Sequence, residues 1–89
     1  MTSEVVSLID IINEYINNKL NVEQFIALYQ DRYENIQEKL SGAELNNLDK
    51  VYMSCEMFEP DISIAETDKN LINEFELRKR VKKYSSLLQ

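Results

Sequence analysis

Apolar residues recur at spacings of three and four positions along most of the chain, which is the period of an amphipathic α-helix. The first such segment runs from Glu4 to about Ile16 and ends at Asn17–Asn18. The second begins after Asn21 and ends at Ser41–Gly42. The predicted inward faces are Val5, Leu8 or Ile9, Ile12 and Ile16 in the first segment, and Val22, Phe25, Ile26, Tyr29, Tyr33, Ile36 and Leu40 in the second.

Two further segments with the helical period follow. The third helix is predicted to stop at about Phe58, because Pro60 disfavours helical geometry in the residue before it. Residues 61–72 show no clear period and predict a connection with about one turn of helix. The fourth helix begins after Asn73. The inward faces are Leu45, Leu48, Tyr52, Cys55 and Phe58 in the third helix, and Leu77, Val81, Tyr84 and Leu88 in the fourth.

Helix boundaries are marked by polar residues with capping-box spacing. The pairs are Asn21 with Gln24, Ser41 with Glu44, and Asn73 with Glu76. Gly42 is the only glycine, and its position predicts a left-handed residue that ends the second helix. No segment alternates like a strand. Four amphipathic helices with short connections predict an all-α protein, a small antiparallel four-helix bundle in which residues 1–89 form a single domain.

Composition narrows the possible functions. The chain has 16 acidic and 10 basic residues, a net charge of −6, no histidine and one cysteine. Such an acidic surface repels nucleic acid and attracts basic partners. Histidine-based catalysis, disulfides and cysteine-rich zinc sites are excluded, and Cys55 is predicted to be a core residue. No apolar run is long enough to cross a bilayer and no basic segment opens the chain, so we expect a cytoplasmic protein that does not bind membranes.

Two motifs that would indicate a cofactor or metal are incomplete. A calcium loop starting at Asp61 would need glycine where Glu66 stands and a bidentate glutamate where Ile72 stands. An acyl carrier protein would need an Asp-Ser-Leu motif, whereas Ile62 separates Asp61 from Ser63. The sequence shows no residues that would form a catalytic pocket around the paired carboxylates. We therefore expect no metal, no cofactor and no enzymatic activity.

Charge is distributed unevenly along the chain. Between Glu44 and Asp68 there are seven acids and one base, Lys50. From Leu77 onward there are five bases and no acid. Cations near the C-terminus of a helix interact favourably with the helix dipole and can pair with acids of neighbouring helices. We prefer this interpretation of the basic residues to nucleic-acid or lipid binding. The bases are Arg78, Lys79, Arg80, Lys82 and Lys83.

The acidic half contains the candidate binding residues. Asp49 and Glu56 are seven positions apart and share one stripe of the third helix, with Tyr52 between them. Glu59 and Asp61 bracket the only proline. These five residues form what we call the acidic strip. Its carboxylates are either a solvated helix face or a fixed anionic surface that resembles a run of phosphates.

The run from Tyr52 to Asp61 resembles immunity proteins of the colicin D type. Its end, Phe58-Glu59-Pro60-Asp61, is moderately specific, and the likeness rests on this tetrad together with the length, the acidity and the four-helix pattern. Asn73 stands where that family usually has aspartate, and residues 62–71 match poorly. Weaker similarity covers most of the remaining chain, through Leu8-Ile9-Asp10, Phe25, Ile72, Leu77 and Val81.

The resemblance implies an antidote protein with no catalytic activity of its own. It would bind, one to one, the C-terminal tRNA-cleaving nuclease domain of a bacteriocin or of a contact-dependent inhibition toxin and block its active site. By position, Glu56, Glu59 and Asp61 match acidic residues of the family motif and take its binding role, while Asp49 and Tyr52 are added on geometry alone. The alternative is an acidic helical adaptor or regulatory protein that binds a basic host protein.

Overall fold

The computed structural model describes residues 2–88, and four long helices dominate it. The helices are α1 (Ser3–Ile16), α2 (Val22–Ile36), α3 (Gly42–Met57), the short α4 (Ile62–Thr67) and α5 (Glu74–Ser86), with a 3₁₀ helix at Gln37–Lys39. The four long helices contact one another in a ring, α1 with α2, α2 with α3, α3 with α5 and α5 with α1. No β-strand occurs within the described range, so the predicted all-α helical bundle is confirmed.

The predicted inward faces line the core. Most of their side chains are buried, and the others are half-buried and pack against the core. Cys55 is buried, as predicted. Two residues outside the predicted stripes, Tyr15 of α1 and Val51 of α3, are also fully buried. Burial of this many apolar side chains is the main favourable contribution to folding.

Aromatic rings form a continuous series through the bundle. The ring centroids of Tyr15 and Phe25 are 4.3 Å apart, and those of Phe25 and Tyr29 are 5.6 Å apart. The series continues from Tyr29 to Tyr33 at 6.1 Å and from Tyr33 to Tyr52 at 4.8 Å. It joins α1 to α3 along the inner face of α2. Ring contacts of this kind add to the stabilisation that burial provides.

Of the three predicted capping boxes, the one at Asn21 is complete, and the one at Asn73 has only the hydrogen bond that the cap side chain accepts. The side chains and backbones of Asn21 and Gln24 form both bonds of a capping box, at 2.8 and 3.0 Å. Asn73 accepts a hydrogen bond from the backbone N–H of Glu76 at 2.9 Å. Each cap satisfies a backbone N–H that has no partner inside its helix.

The junction between α2 and α3 differs from its prediction. The second helix ends at Ile36, and Leu40 is extended after the 3₁₀ helix. Ser41 makes no capping hydrogen bond, so the predicted box with Glu44 is wrong. Gly42 has the predicted left-handed conformation, with φ of 60°, but it is the first residue of α3 and does not end α2. The left-handed residue redirects the chain between Ser41 and the helix, so the Ser41 hydroxyl does not reach the backbone of Glu44.

Two backbone hydrogen bonds join the two ends of the connection between α3 and α5. The backbone N–H of Glu59 donates to the carbonyl of Ile72, and the N–H of Ile72 donates to the carbonyl of Met57, both at 2.9 Å. These two bonds form an isolated parallel bridge between Phe58 and Ile72. The predicted single turn of helix is α4. The bridge holds the segment that follows α3 against the start of α5.

Candidate functional site

Asp49 is oriented by a tyrosine of the neighbouring helix. The hydroxyl of Tyr33, in α2, donates to Oδ1 of Asp49, in α3, at 2.7 Å. Burial and the adjacent carboxylate both raise the pKa of Tyr33 above its ordinary value, so the phenol stays protonated and donates. Asp49 is therefore held in one orientation at the half-buried edge of the bundle.

Tyr52 makes a second such link in the opposite direction. Its hydroxyl donates to Oε2 of Glu34, in α2, at 2.7 Å, while its ring stacks on Tyr33. The hydrogen bond to Glu34, partial burial and the nearby negative charges of Glu34 and Glu56 raise the pKa of Tyr52 to about 12. Glu34 was not predicted from the sequence. It brings a carboxylate of α2 to the edge of the acidic strip.

Glu56 is exposed one turn beyond Tyr52 on α3. Within residues 2–88 it has no ion pair with a lysine or arginine. Burial, and secondarily the negative charge of Glu56, raises the pKa of the adjacent Cys55 thiol to about 12. A protonated, buried thiol is a poor nucleophile, which agrees with the predicted core role of Cys55.

Glu59 and Asp61 are oriented by the chain around Pro60. Oε2 of Glu59 accepts a hydrogen bond from the backbone N–H of Asp61 at 3.1 Å. Oδ1 of Asp61 accepts from the hydroxyl of Ser63 at 2.6 Å and from the N–H groups of Ser63 and Ile64 at 2.9 and 3.4 Å. These donors, the Ser63 hydroxyl first, lower the pKa of Asp61, so this carboxyl group stays ionised.

The acidic strip is thus divided into two groups. Asp49, Tyr52 and Glu56 follow α3, with Glu34 beside them, and Glu59 and Asp61 belong to the segment after its end. Across residues 2–88, no hydrogen bond joins the two groups. Neutral hydroxyl or backbone N–H groups orient Asp49 and Glu34 in the first group and Glu59 and Asp61 in the second, whereas Glu56 accepts no hydrogen bond from residues 2–88.

The two arginines of the basic helix α5 contact other groups of the bundle. The guanidinium of Arg78 donates to the carbonyls of Tyr15 and Ile16, at 3.4 and 3.0 Å, and lies 4.6 Å from the centre of the Tyr15 ring. It therefore caps the C-terminus of α1. Arg80 forms an ion pair with Glu76 at 3.2 Å. Both contacts lie within the fold, but they differ from the predicted ones: Arg78 binds carbonyl groups of α1, and Arg80 pairs with an acid of its own helix.

Among residues 2–88 there is no group of three or more Cys, Asp or Glu side chains arranged to hold a metal ion. No helix of that range combines the length and the apolar character needed to cross a bilayer.

A small helical bundle that carries oriented, unpaired carboxylates on its surface is suited to bind a basic partner. The model of the bacterial self-protective colicin-like immunity family matches residues 1–88, and the chain belongs to this family. It is therefore a bacteriocin immunity protein, a class of inhibitors rather than enzymes, and its partner is a cognate bacteriocin toxin. No curated protein and no solved structure matches the chain significantly.

Proposed function

We propose that this protein binds and inhibits the C-terminal tRNA-cleaving domain of a colicin D-like bacteriocin or contact-dependent inhibition toxin. The complex is one to one and forms in the cytoplasm. The acidic strip, Asp49, Tyr52, Glu56, Glu59 and Asp61, takes the place of RNA phosphates in the basic cleft of the toxin. Family membership supports a bacteriocin as partner. The choice of a tRNA-cleaving toxin rests on the resemblance of residues 52–61 to the colicin D type.

One observation carries this proposal: three of the four carboxylates of the acidic strip, and Glu34 beside them, are oriented before any partner arrives. Each of these four oriented carboxylates accepts hydrogen bonds on one oxygen only, and within residues 2–88 its other oxygen makes none. The oxygens in use are Oε2 of Glu34, Oδ1 of Asp49, Oε2 of Glu59 and Oδ1 of Asp61. Groups that are already ordered lose less entropy when they bind.

The chemistry of the toxin explains why oriented carboxylates would inhibit it. A nuclease that binds RNA presents lysine or arginine side chains where the phosphates lie. Such cations form short, charge-assisted hydrogen bonds with carboxylates. A cleft filled with carboxylates in this way has no free cations for the substrate. The acidic strip therefore acts as a competitive, non-hydrolysable anion.

Electrostatic attraction also accounts for the speed that an antidote needs. A toxin molecule can damage the cell that makes it before equilibrium is reached. Net charge of −6 and an acidic face attract a basic domain over a distance. Complementary charge raises association rates above the ~10⁵–10⁶ M⁻¹s⁻¹ of neutral protein pairs.

The direct experiment measures tRNA cleavage by the C-terminal domain of the cognate toxin. We expect cleavage to stop when an equimolar amount of this protein is present. The variant Glu59→Gln/Asp61→Asn should require a large excess, and the matched charge variant Lys82→Gln/Lys83→Gln should inhibit like the natural protein. Undiminished cleavage in an excess of the natural protein would contradict the proposal.

A further inference from the structure

An apolar groove lies next to the acidic strip. It is formed where the start of α2, the segment after α3 and the start of α5 meet, and its volume is about 290 Å³. Phe75 is the most exposed large apolar side chain of residues 2–88, at 78% exposure, and it borders the groove together with Ile62 at 61%. Pro60, Phe58 and Val22 complete its apolar lining. We call it the Phe75 groove.

Three carboxylates surround this apolar surface. Glu23, Glu59 and Glu74 line the groove, and over residues 2–88 none of them has an ion pair with a lysine or arginine. Glu74 accepts a hydrogen bond from the hydroxyl of Tyr15 on Oε2, at 2.9 Å, and Glu59 accepts one from the backbone. Both are thus oriented by neutral donors, as in the acidic strip, and not by a cation.

The combination defines the side chain that fits. Arginine and lysine carry an apolar stem that packs on apolar surface and a charged head that needs an anionic partner. A guanidinium or ammonium over the ring of Phe75 also gains cation–π attraction. A purely apolar side chain would leave the three carboxylates unpaired, and an acidic one would be repelled. Charge complementarity therefore selects a cation with a long stem.

We propose that the Phe75 groove receives an arginine or lysine side chain of the toxin domain, an inference that rests on the proposed function. Glu59 belongs to both the acidic strip and the groove, so the two surfaces are continuous. The strip supplies attraction over a distance. The groove supplies a desolvated anchor, because an aromatic side chain at the centre of an interface typically dominates the binding free energy. The groove therefore sets the dissociation rate.

The test measures the kinetics with which the Phe75→Ala variant binds the same toxin domain. We expect dissociation at least about tenfold faster and an association rate close to that of the natural protein. Leu87→Ala is the matched control, because Leu87 is exposed to a similar extent, 63%, and does not line the groove. It should leave both rates unchanged. Equal dissociation rates for Phe75→Ala and the natural protein would overturn the inference.

A second variant tests the charge of the occupant. Glu74→Gln keeps an oxygen that can accept from Tyr15 but removes the negative charge. We expect it to speed dissociation several-fold. If Phe75→Ala weakens binding and Glu74→Gln does not, the occupant is apolar and the inference is wrong.

Two further outcomes distinguish a failure of this inference from a failure of the proposed function. If the natural protein fails to bind the toxin domain, both the proposed function and the inference fail. If it binds, depends on Glu59 and Asp61, and ignores Phe75, only the inference fails. Sedimentation of the protein alone tests whether a second copy of the chain occupies the groove. A dimer that becomes a monomer on Phe75→Ala would show that it does, and would overturn the inference.

Discussion

The basic helix α5 and the acidic strip differ in the partners that their charged side chains bind. In α5, Arg78 caps the C-terminus of α1 and Arg80 pairs with Glu76, so both cations are used within the fold. Along α3 and the segment after it, the donors that hold the carboxylates are tyrosine hydroxyls, a serine hydroxyl and backbone N–H groups. Neutral donors fix the direction of a carboxylate without cancelling its charge. Most carboxylates of the acidic region are therefore oriented without loss of charge, whereas Arg78 and Arg80 of the basic region contribute to stability.

The acidic strip presents a single sign of charge to a partner, because no lysine or arginine of residues 2–88 forms an ion pair with it. An ion pair inside the acidic strip would have oriented its carboxylates equally well, but it would have weakened the attraction for a basic domain. Tyr33 and Tyr52 instead orient Asp49 and Glu34 through neutral hydroxyl groups, which do not cancel the negative charge. Their rings belong to the aromatic series of the core, so the orientation of the surface carboxylates is tied to core packing.

The largest expected effect comes from neutralising the segment after α3. Glu59→Gln and Asp61→Asn should each weaken binding of the toxin domain by ~2–5 kcal/mol, because a toxin cation is left buried without its partner. Both amides keep an oxygen that can accept the local hydrogen bonds, so helicity should not change. Lys82→Gln and Lys83→Gln are the matched controls. Isothermal titration calorimetry gives the affinities, and a greater loss in the lysine variants would contradict the comparison.

Removing a cation of α5 should affect folding rather than binding. Arg78→Met keeps much of the apolar stem but removes the donors to the carbonyls of Tyr15 and Ile16. Hydrogen bonds to charged groups are worth roughly 1.5–3 kcal/mol, so we expect a loss of about 2 kcal/mol in the free energy of unfolding. Urea denaturation measures it. Lys79→Met, an exposed change on the same helix, should stay within about 0.5 kcal/mol.

The comparison further predicts that Arg78→Met leaves toxin affinity intact under conditions in which the variant is folded. A variant of normal stability and reduced affinity would show that Arg78 contacts the toxin. That result would remove the distinction between the two regions.

Loss of one tyrosine hydroxyl should produce a smaller effect in both properties. Tyr33→Phe removes the donor to Asp49 and keeps the buried ring. A neutral donor typically contributes about 1 kcal/mol to stability, and we expect a loss of that size in urea denaturation. The freed carboxylate must be ordered on binding, so toxin affinity should fall modestly. Tyr84→Phe, a half-buried tyrosine outside the acidic strip, serves as the control. An unchanged affinity for Tyr33→Phe would show that the orientation of Asp49 is irrelevant.

The smallest expected effect is a dependence of stability on alkaline pH. The pKa of Tyr52 is raised in the folded protein to about 12, above its ordinary value of 10.0, because its proton bonds to Glu34. The folded state therefore retains a proton that the unfolded state loses, and its stabilising contribution declines as pH rises from about 10 to about 12. Absorbance at 295 nm follows phenolate formation. The difference between the natural protein and Tyr52→Phe should show this late titration, and a Tyr52 pKa near 10 would contradict the hydrogen bond.

The sequence predicts the parts of this structure that depend on neighbouring residues along one helix. The period of three and four identifies the core faces, and Pro60 marks the end of α3. The Asn21–Gln24 box also follows from local chemistry. The error at Ser41 arose because its spacing to Glu44 satisfied the motif while Gly42 redirected the chain between them.

The site was less predictable, because its decisive contacts join different helices. That Glu34 meets Tyr52 depends on how α2 and α3 are rotated about their own axes, and a single sequence carries no direct signal of this rotation. Glu34 precedes no motif and faces solvent. Phe75 falls outside the inward stripe of α5, so its exposure agrees with the pattern, but the groove beside it exists only because the segment after α3 lies there.

The most direct test of the central claim is the dependence of the association rate on salt. Stopped-flow association of this protein with the toxin domain should slow markedly between ~0.05 and ~0.5 M NaCl, because the screening length falls to only a few ångströms. The double variant Glu59→Gln/Asp61→Asn should show a smaller salt dependence, and Lys82→Gln/Lys83→Gln should not. An association rate that ignores salt, or equal salt dependence in the natural protein and the acidic double variant, would contradict the account.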